Sequence, residues 1–263
     1  LTWHTWAIDL TALYVAGHFF DTGQLDLIYL PGHGLVVYDP PPAYRALAEE
    51  FGGPTNAITP YLYPPLWAAL LAPITRILGM YQFFSAFEII NIAALAATIW
   101  FSFRLTDLPM RMGFGRWALI SIALAGGTGL GSFGIWLGQP QILVGFITLF
   151  AFYLFAEQRD VGAGAMLALA VAMKLSPVLL VMVFIMERRW RAVWAFAGVG
   201  LTLALLSITL AGWPLHAEML HKLADISDHV LVYPTSAGLE MFLYQLDALI
   251  MGTEGTIIFF CRF

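Results

Sequence analysis

A few polar side chains interrupt an otherwise apolar sequence, and their types suit a group-transfer reaction. Asp9 offers a carboxylate that can act as a general base towards a hydroxyl group. Lys174 offers a cation that can balance a phosphate leaving group. Gln139, Gln141 and Tyr63 add amide and phenol groups that the predicted topology places on the same face. A carboxylate, a lysine and a buried amide in a wet cleft at a membrane surface form a candidate active site.

A second group of polar residues raises the question of a metal site. His221, Asp225 and His229 follow one another at four-residue intervals, which on a helix would place them on one face. Two histidines and an aspartate can ligate a divalent metal. The same spacing also describes an amphipathic helix whose polar side meets water. We favour the amphipathic helix, so no metal and no cofactor is predicted, and these three residues are kept as the alternative.

The elements that must position these groups are predicted to be transmembrane helices. Of the 263 residues, 60% are hydrophobic and 11% are charged, whereas soluble domains have about 25% charged residues. The mean hydropathy is +0.79. A soluble domain is excluded, because too few charges are present to cover its surface. The basic residues form no exposed stripe, which excludes a nucleic-acid partner. The single cysteine, Cys261, excludes an internal disulfide.

Seven apolar runs divide most of the chain, and each is near the length of about 20 residues that spans a bilayer. We predict one all-α transmembrane domain over residues 1–263, a polytopic helical bundle that is incomplete at one or both ends. Residues 1–59 form an ordered extracytoplasmic loop with short helices near residues 7–20 and 44–51. Residues 60–263 supply the membrane helices. The runs are residues 62–78, 83–103, 117–137, 142–156, 163–186, 192–211 and 237–251.

The distribution of arginine predicts how these runs are oriented. Arginines cluster in the spacers around residues 104–116, 159 and 188–191, which we therefore place on the cytoplasmic side. The run between the last two spacers is too short to cross twice, and Lys174 and Pro177 lie at its middle. A proline disfavours helix at the residue before it, and a lysine in lipid is costly. We predict a re-entrant hairpin tipped by Lys174, and we expect the proline-rich run 62–78 to dip or lie flat.

Several short motifs, taken in order, resemble glycosyltransferase family 87 of the GT-C superfamily. The resemblance covers nearly the whole chain and depends on the order and the spacing of the motifs taken together. It implies a multi-spanning enzyme of the bacterial inner membrane with an extracytoplasmic active face. The motifs are Trp6-x-x-Asp9 followed by Tyr14, Tyr63-Pro64-Pro65-Leu66, Gly138-Gln139-x-Gln141 and Lys174-x-x-Pro177.

The resemblance also implies a reaction and roles for individual residues. It implies a hexosyltransferase that moves a sugar, with mannose expected, from a polyprenyl-phosphate donor to a glycan or glycolipid with inversion. Membrane lipids, the lipid-linked donor and the acceptor are then the expected partners, and no cofactor is needed. Asp9 would be the catalytic base, and the donor or substrate would contact Lys174, Gln139, Gln141, Tyr63 and Tyr14.

Two other functions are open at this point. A non-catalytic GT-C-like structural subunit of a larger membrane complex would have its cavity filled by side chains or by a partner. An enzyme would instead keep Asp9 facing an open cavity. A transporter or lipid flippase would show broken helices in matching halves, and we find no matching halves in this sequence.

Overall fold

The computed structural model describes residues 7–30, 37–38, 41–52, 57–106, 112–128, 134–135, 137–227, 229–231 and 260–262. Its first part contains two helices, as predicted for the loop region. Helix α1 spans Ile8–Asp21 and α2 spans Pro42–Glu50, with a 3-10 turn at Leu25–Leu27 between them. Strands β1 (Val37–Tyr38) and β2 (Ala57–Ile58) pair antiparallel.

The rest of the described chain is almost entirely helical. A 3-10 turn at Ser176–Leu180 leads into a short helix that begins at Val181, and strands β3 (His229–Leu231) and β4 (Phe260–Arg262) pair antiparallel after the last helix. The predicted run at residues 237–251 lies outside the described residues. The helices are α3 (Pro65–Ile77), α4 (Met80–Leu105), α5 (Phe114–Gly127), α6 (Gln141–Ala156), α7 (Asp160–Met173), α8 (Val181–Met186) and α9 (Trp190–Ser227).

Prolines mark where several of these helices begin. A proline in the first helical position loses no hydrogen bond, because the first amide groups of a helix have no partner within it. Helix α2 begins at Pro42, α3 begins at Pro65, and Pro140 precedes α6. With 13 residues, α3 is about 20 Å long, which is shorter than the bilayer core of about 30 Å. Whether this run crosses the membrane, dips into it or lies flat stays a prediction.

Two of the described helices are long and apolar enough to cross a membrane. They are α4, Met80–Leu105, and the stretch Trp190–Ala224 of α9. In their most apolar windows, 33% of α4 but only 6% of α9 is buried inside the protein, so that window of α9 buries few of its side chains completely. The predicted all-α fold class is confirmed, and the number of membrane crossings stays a prediction.

The predicted helix break at Lys174 is confirmed. Helix α7 ends one residue earlier, and Lys174 itself is extended, with φ −152° and ψ 131°. The chain then turns back, because Phe184 of α8 belongs to the same buried cluster as Ala163 of α7. An ion pair between Asp160 and Arg189 joins the start of α7 to the residues that follow α8. The two arms form a hairpin with Lys174 near its tip.

Helices α7 and α9 cross at a glycine. A Cβ atom at Gly164 would lie 2.1 Å from the carbonyl oxygen of Ala192 and 2.7 Å from the amide nitrogen of Phe196. Only glycine allows two helix backbones to approach so closely. This crossing fixes α9 against the hairpin that carries Lys174.

Helix α1 lies in a buried cluster with parts of α3 and α4. Leu10, Leu13 and Ala16 are at most 1% exposed, and a Cβ at Gly17 would lie 3.0 Å from the Cβ of Leu71 on α3. Met219, on the last turns of α9, joins the same cluster. The first turn of α1 is therefore held between elements that are distant in sequence.

Candidate functional site

An open cavity of about 500 Å³ lies where the start of α1, the segment before α3, the turn before α6 and the tip of the hairpin meet. Asp9, Tyr63, Gln139 and Lys174 line it, and each of them was predicted as a site residue. Most of the remaining wall is apolar, although two hydroxyl side chains also line it: Ala12, Pro60, Leu62, Pro64, Leu175, Met219 and Leu223, with Thr59 and Ser176. The cavity thus combines a carboxylate, an amide and a cation with apolar walls.

The position of Asp9 follows from the docking of α1 onto the turn before α6. The amide nitrogen of Asp9 donates a hydrogen bond to the carbonyl oxygen of Leu137 at 3.3 Å. Gly138 has φ +66°, and a Cβ there would lie 2.7 Å from Leu10 Cδ1. Glycine is required at this position by both its backbone conformation and its packing. The carboxylate lies in the first turn of α1, where the helix dipole favours negative charge.

The electrostatics of Asp9 result from opposing effects. Burial raises the pKa of its carboxyl group above the ordinary value. A hydrogen bond from the Gln139 side chain, and then the charge of Lys174, act in the opposite direction and lower the pKa. A carboxylate with a raised pKa is a stronger proton acceptor, and its two neighbours favour the ionised form that must accept the proton.

The tip of the hairpin is fixed by a tryptophan that the sequence did not single out. Trp67 of α3 donates from Nε1 to the carbonyl oxygen of Met173 at 3.0 Å. Carbonyl groups in the last turn of a helix lack a partner within the helix, and this bond satisfies one of them. Lys174, the next residue, is exposed and lines the cavity. Within the described part of the chain, no salt bridge occupies its ammonium group.

Tyr63 is held at the cavity wall by a cluster of tyrosines. The hydroxyl group of Tyr29 donates to the carbonyl oxygen of Tyr63 at 2.5 Å, and that of Tyr61 donates to the carbonyl of Pro64 at 2.7 Å. The rings of Tyr61 and Tyr63 lie 5.7 Å apart. Burial, and then the charge of Asp9, raise the pKa of the Tyr63 phenol. Tyr63 therefore remains a hydrogen-bond donor at any pH at which the protein works.

Two predicted contact residues, Tyr14 and Gln141, lie outside the cavity. Tyr14 is 3% exposed, and its hydroxyl group donates to the carbonyl of Leu78 at 3.1 Å. It follows Asp9 by five residues, which turns it about 140° around the helix, away from the cavity. Gln141 is exposed at the start of α6, because Pro140 redirects the chain after Gln139. The structure places both residues away from any ligand in this cavity.

The three candidate metal ligands do not share a helix face. Helix α9 ends at Ser227, so it contains His221 and Asp225 but not His229. His229 lies in β3, opposite Arg262 of β4. Over the described ranges, no group of three His, Cys, Asp or Glu side chains is arranged to hold a metal ion. The helical spacing on which this candidate depended is interrupted where α9 ends.

An apolar groove of about 230 Å³ adjoins the cavity. Pro64, Leu175 and Met219 line both spaces. Beyond this shared wall the groove runs between α7 and α9, and its lining is formed mainly by alanine, leucine, glycine and other apolar residues. Ser207 and His216 are the polar side chains in that lining.

Helix α9 is broken at a glycine that lies between two residues lining the groove, Ile208 and His216. Gly212 has φ +75° and ψ 156°, a conformation open to glycine alone, and Pro214 follows it. His216 bridges the break, with Nδ1 2.7 Å from the carbonyl oxygen of Gly212 and Nε2 2.8 Å from Ser207 Oγ. If Nδ1 donates to the carbonyl, Nε2 accepts from the serine hydroxyl. The bridge sets the angle at which the residues after the break reach the cavity, Met219 among them.

Comparisons with known proteins bear on the family of this chain. Neither the curated proteins nor the solved structures contain a significant match. A family model for glycosyltransferase family 87 matches residues 61–260, well over half of the chain. The matched segment includes Tyr63, Gln139 and Lys174 but begins after Asp9, which the geometry alone brings to the site. Members of this family are membrane proteins, in agreement with the two long apolar helices. The resemblance seen in the motifs is confirmed, and the chain belongs to glycosyltransferase family 87.

Proposed function

We propose that this glycosyltransferase moves a sugar, with mannose expected, from a polyprenyl-phosphate donor to a hydroxyl group of an extracytoplasmic glycan or glycolipid. The observation that carries the proposal is the pairing of the polar cavity with the adjoining apolar groove. A polyprenyl-phosphate sugar has a charged head for the first space and an apolar chain for the second. A nucleotide sugar would leave the groove without an occupant.

Asp9 is the proposed general base. It accepts the proton of the acceptor hydroxyl as the acceptor oxygen forms a bond to the anomeric carbon of the donor. The bond between that carbon and the phosphate oxygen breaks, and its electron pair leaves with the polyprenyl phosphate. Attack from the side opposite the leaving group inverts the anomeric carbon. The raised pKa of Asp9 favours this transfer, because the proton is taken up by a carboxylate that binds it more tightly than an exposed one.

Lys174 is proposed to stabilise the leaving group. The phosphate gains negative charge as its bond to the sugar breaks, and a cation aimed at developing charge lowers the energy of the transition state. Lys174 lines the cavity beside Leu175, which belongs to the wall shared with the groove. The donor phosphate would lie at that junction, with Gln139 holding the Asp9 carboxylate across the cavity. Because the donor carries one phosphate, no separate cofactor is proposed.

The state of the cavity favours the enzyme over a non-catalytic subunit. A scaffold recruited for structure alone would gain stability by filling the space around a half-buried carboxylate. In the residues that the structure describes, the cavity at Asp9 stays open and reaches the exposed Lys174. The transporter alternative has no support from the sequence, because no matching halves are found in it.

The test is sugar transfer by the purified full-length protein in lipid nanodiscs. Polyprenyl-phosphate mannose and GDP-mannose are offered as alternative donors to the wild type and to Asp9→Asn. We expect transfer from the lipid donor only, with a loss of about 100-fold or more in Asp9→Asn. Asp26→Asn, which removes an exposed carboxylate of the same region, is the matched control and should keep the wild-type rate.

A stability measurement separates lost chemistry from lost folding. Because the pKa of Asp9 is raised in the folded protein, its ionised form costs stability at pH values above the ordinary pKa of the group. Asp9→Asn removes that cost, so its Tm at neutral pH should equal or exceed that of the wild type. Wild-type activity in Asp9→Asn would show that Asp9 is not the base. Transfer from GDP-mannose instead of the lipid donor would show that the donor class is wrong.

A further inference from the structure

A buried amide in the apolar helix α4 lies behind the turn that carries Gln139. Asn91 is 5% exposed, although α4 is apolar enough to span a membrane. Its Nδ2 donates to the carbonyl oxygen of Gln139 at 3.4 Å. Its Oδ1 is buried and, among the described residues, has no hydrogen-bond partner. A polar side chain at such a position is costly, and those that face the bundle mark functional sites.

The turn that Asn91 contacts also carries the groups around Asp9. Gln139 lines the same cavity as Asp9, and its side chain is the hydrogen-bonding group that lowers the pKa of the Asp9 carboxyl. The carbonyl oxygen of Leu137 accepts from the Asp9 amide. A path of direct contacts therefore leads from the Asn91 amide to the backbone of Gln139. It continues through the Gln139 side chain to the proposed base.

Packing between this turn and α4 is incomplete. A cavity of about 20 Å³ lies there, lined by residues that include Glu88, Asn91, Ile135 and Gly138. Such a space is about the size of one water molecule. Beside this gap, the bond from Asn91 to Gln139 is a direct polar contact between the helix and the turn.

We propose that Asn91 is a positioning residue, which holds the Gln139 backbone so that the Gln139 side chain meets the Asp9 carboxylate. This inference rests on the proposed function, in which Asp9 is the base. Asn91 itself touches neither the base nor the cavity that would hold the substrates. Its effect on the reaction passes through Gln139.

The role has a signature that a purely structural residue would lack. The bond from Gln139 lowers the pKa of Asp9, so weakening that bond raises the pKa further. Asp9 must be ionised to accept a proton, and the acid limb of the pH–rate profile would then move to higher pH. Lys174 and Tyr63 are the other titratable groups that face Asp9, and the substitution changes neither. A structural defect would lower the rate without moving the limb.

The experiment compares the pH–rate profiles of full-length Asn91→Leu and Asn91→Ala with that of the wild type, using polyprenyl-phosphate mannose as donor. Leucine is close to asparagine in size and suits an apolar helix, so Asn91→Leu should fold at least as well as the wild type. We expect kcat to fall by about 10-fold or more, the acid limb to move to higher pH, and the KM for the donor to stay unchanged. Thr98→Val is the matched control, because Thr98 bonds only within its own helix, to the carbonyl of Ala94.

A double-substitution cycle tests the path through Gln139. Gln139→Ala should show the same shift of the acid limb, and adding Asn91→Leu to it should change the profile no further. An unmoved limb in Asn91→Leu, or fully additive losses in the double variant, would overturn the inference. An active Asp9→Asn would overturn the proposed function. An inactive Asp9→Asn beside a wild-type-like Asn91→Leu would reject the positioning role alone.

Discussion

The cavity at Asp9 and the groove beside it share a wall but are built in different ways. The carboxylate, the amide and the cation of the cavity lie where helices begin or end: Asp9 in the first turn of α1, Gln139 in the turn before α6, and Lys174 just after α7. The groove instead lies between the continuous parts of α7 and α9. The ends of helices therefore supply the carboxylate, the amide and the cation of the cavity, and the sides of helices supply the apolar surface of the groove.

The difference has a physical cause. The ends of helices leave backbone groups that need partners, and they bring charged side chains towards water. Two helices that cross at a glycine need no polar partner and expose a continuous apolar surface between their side chains. A donor with a charged head and an apolar chain would match both constructions. Substitutions on each side of the shared wall should therefore have separable effects.

The largest effect should follow from removing the cation of the cavity. Lys174→Met keeps a long side chain but leaves the developing phosphate charge unbalanced, so kcat/KM for the lipid donor should fall by about 100-fold. It also removes a charge that lowers the pKa of Asp9, so the acid limb of the pH–rate profile should move to higher pH. Lys174→Arg retains the charge and should recover much of the rate. Equal losses in both variants would contradict the electrostatic role.

A smaller effect is expected when the groove is narrowed without touching the cavity. Gly200 lines the groove, and a Cβ there would meet open space. A leucine at this position would displace about two methylene groups of a bound chain, which corresponds to roughly a 10-fold rise in the KM for the donor. The rise should be smaller for a donor with a short prenyl chain, and kcat should be unchanged.

Gly198→Leu is the control for this prediction. Gly198 lies on the same helix and also faces open space, but it does not line the groove. Both substitutions replace a helical glycine and should raise helix propensity alike. The difference between the donor KM values of the two variants therefore measures the effect of narrowing the groove. Equal KM values would mean that the groove does not hold the donor chain.

The smallest effect should come from loosening the bridge at the break in α9. Ser207→Ala leaves Nε2 of His216 without its partner, which should lower the free energy of unfolding by about 1–2 kcal/mol. Thermal denaturation should show a lower Tm, while kcat changes little because the Asp9 side of the cavity is untouched. Thr202→Val, which removes a hydroxyl that bonds within α9 to Gly198, should leave the Tm near that of the wild type. A fall in kcat as large as that of Lys174→Met would contradict the separation of the two spaces.

The backbone features of the candidate site that the sequence predicted and the structure contains are those marked by local signals. Lys174 was placed at a helix break because Pro177 and a lone charge in an apolar run both oppose a continuous helix. Gln139 lies beside Gly138 and Pro140, which predict a turn. These signals act within a few residues, and the fold retains them.

The parts that could not be predicted depend on contacts between distant residues. The bonds of Asn91 to Gln139 and of Trp67 to Met173 join positions 48 and 106 residues apart. Trp67 does not differ in type from other residues of the apolar runs, whereas Asn91, the one asparagine in those runs, is a polar signal whose partner the sequence alone does not identify. Tyr14 was assigned to the site because of its place near Asp9 in a motif, yet the turn of α1 directs it into the core. The sequence placed His229 on the same helix as His221 and Asp225, because no glycine or proline marks the end of α9 at Ser227.

The break at Gly212 has a consequence for attempts to redesign this enzyme. The groove and cavity residues of α9 that precede the break, from Phe196 to Ile208, border only the space proposed for the lipid chain. After the break, His216 borders that same space, Met219 borders both spaces and Leu223 borders the space proposed for the sugar. A library that varies only the residues before the break would explore chain-length preference and leave the cavity wall unchanged. Substitutions of Gly212 or His216 would change the geometry of the break and alter the preferences for the lipid chain and for the sugar together. A redesign that targets only one of these preferences should leave both residues unchanged.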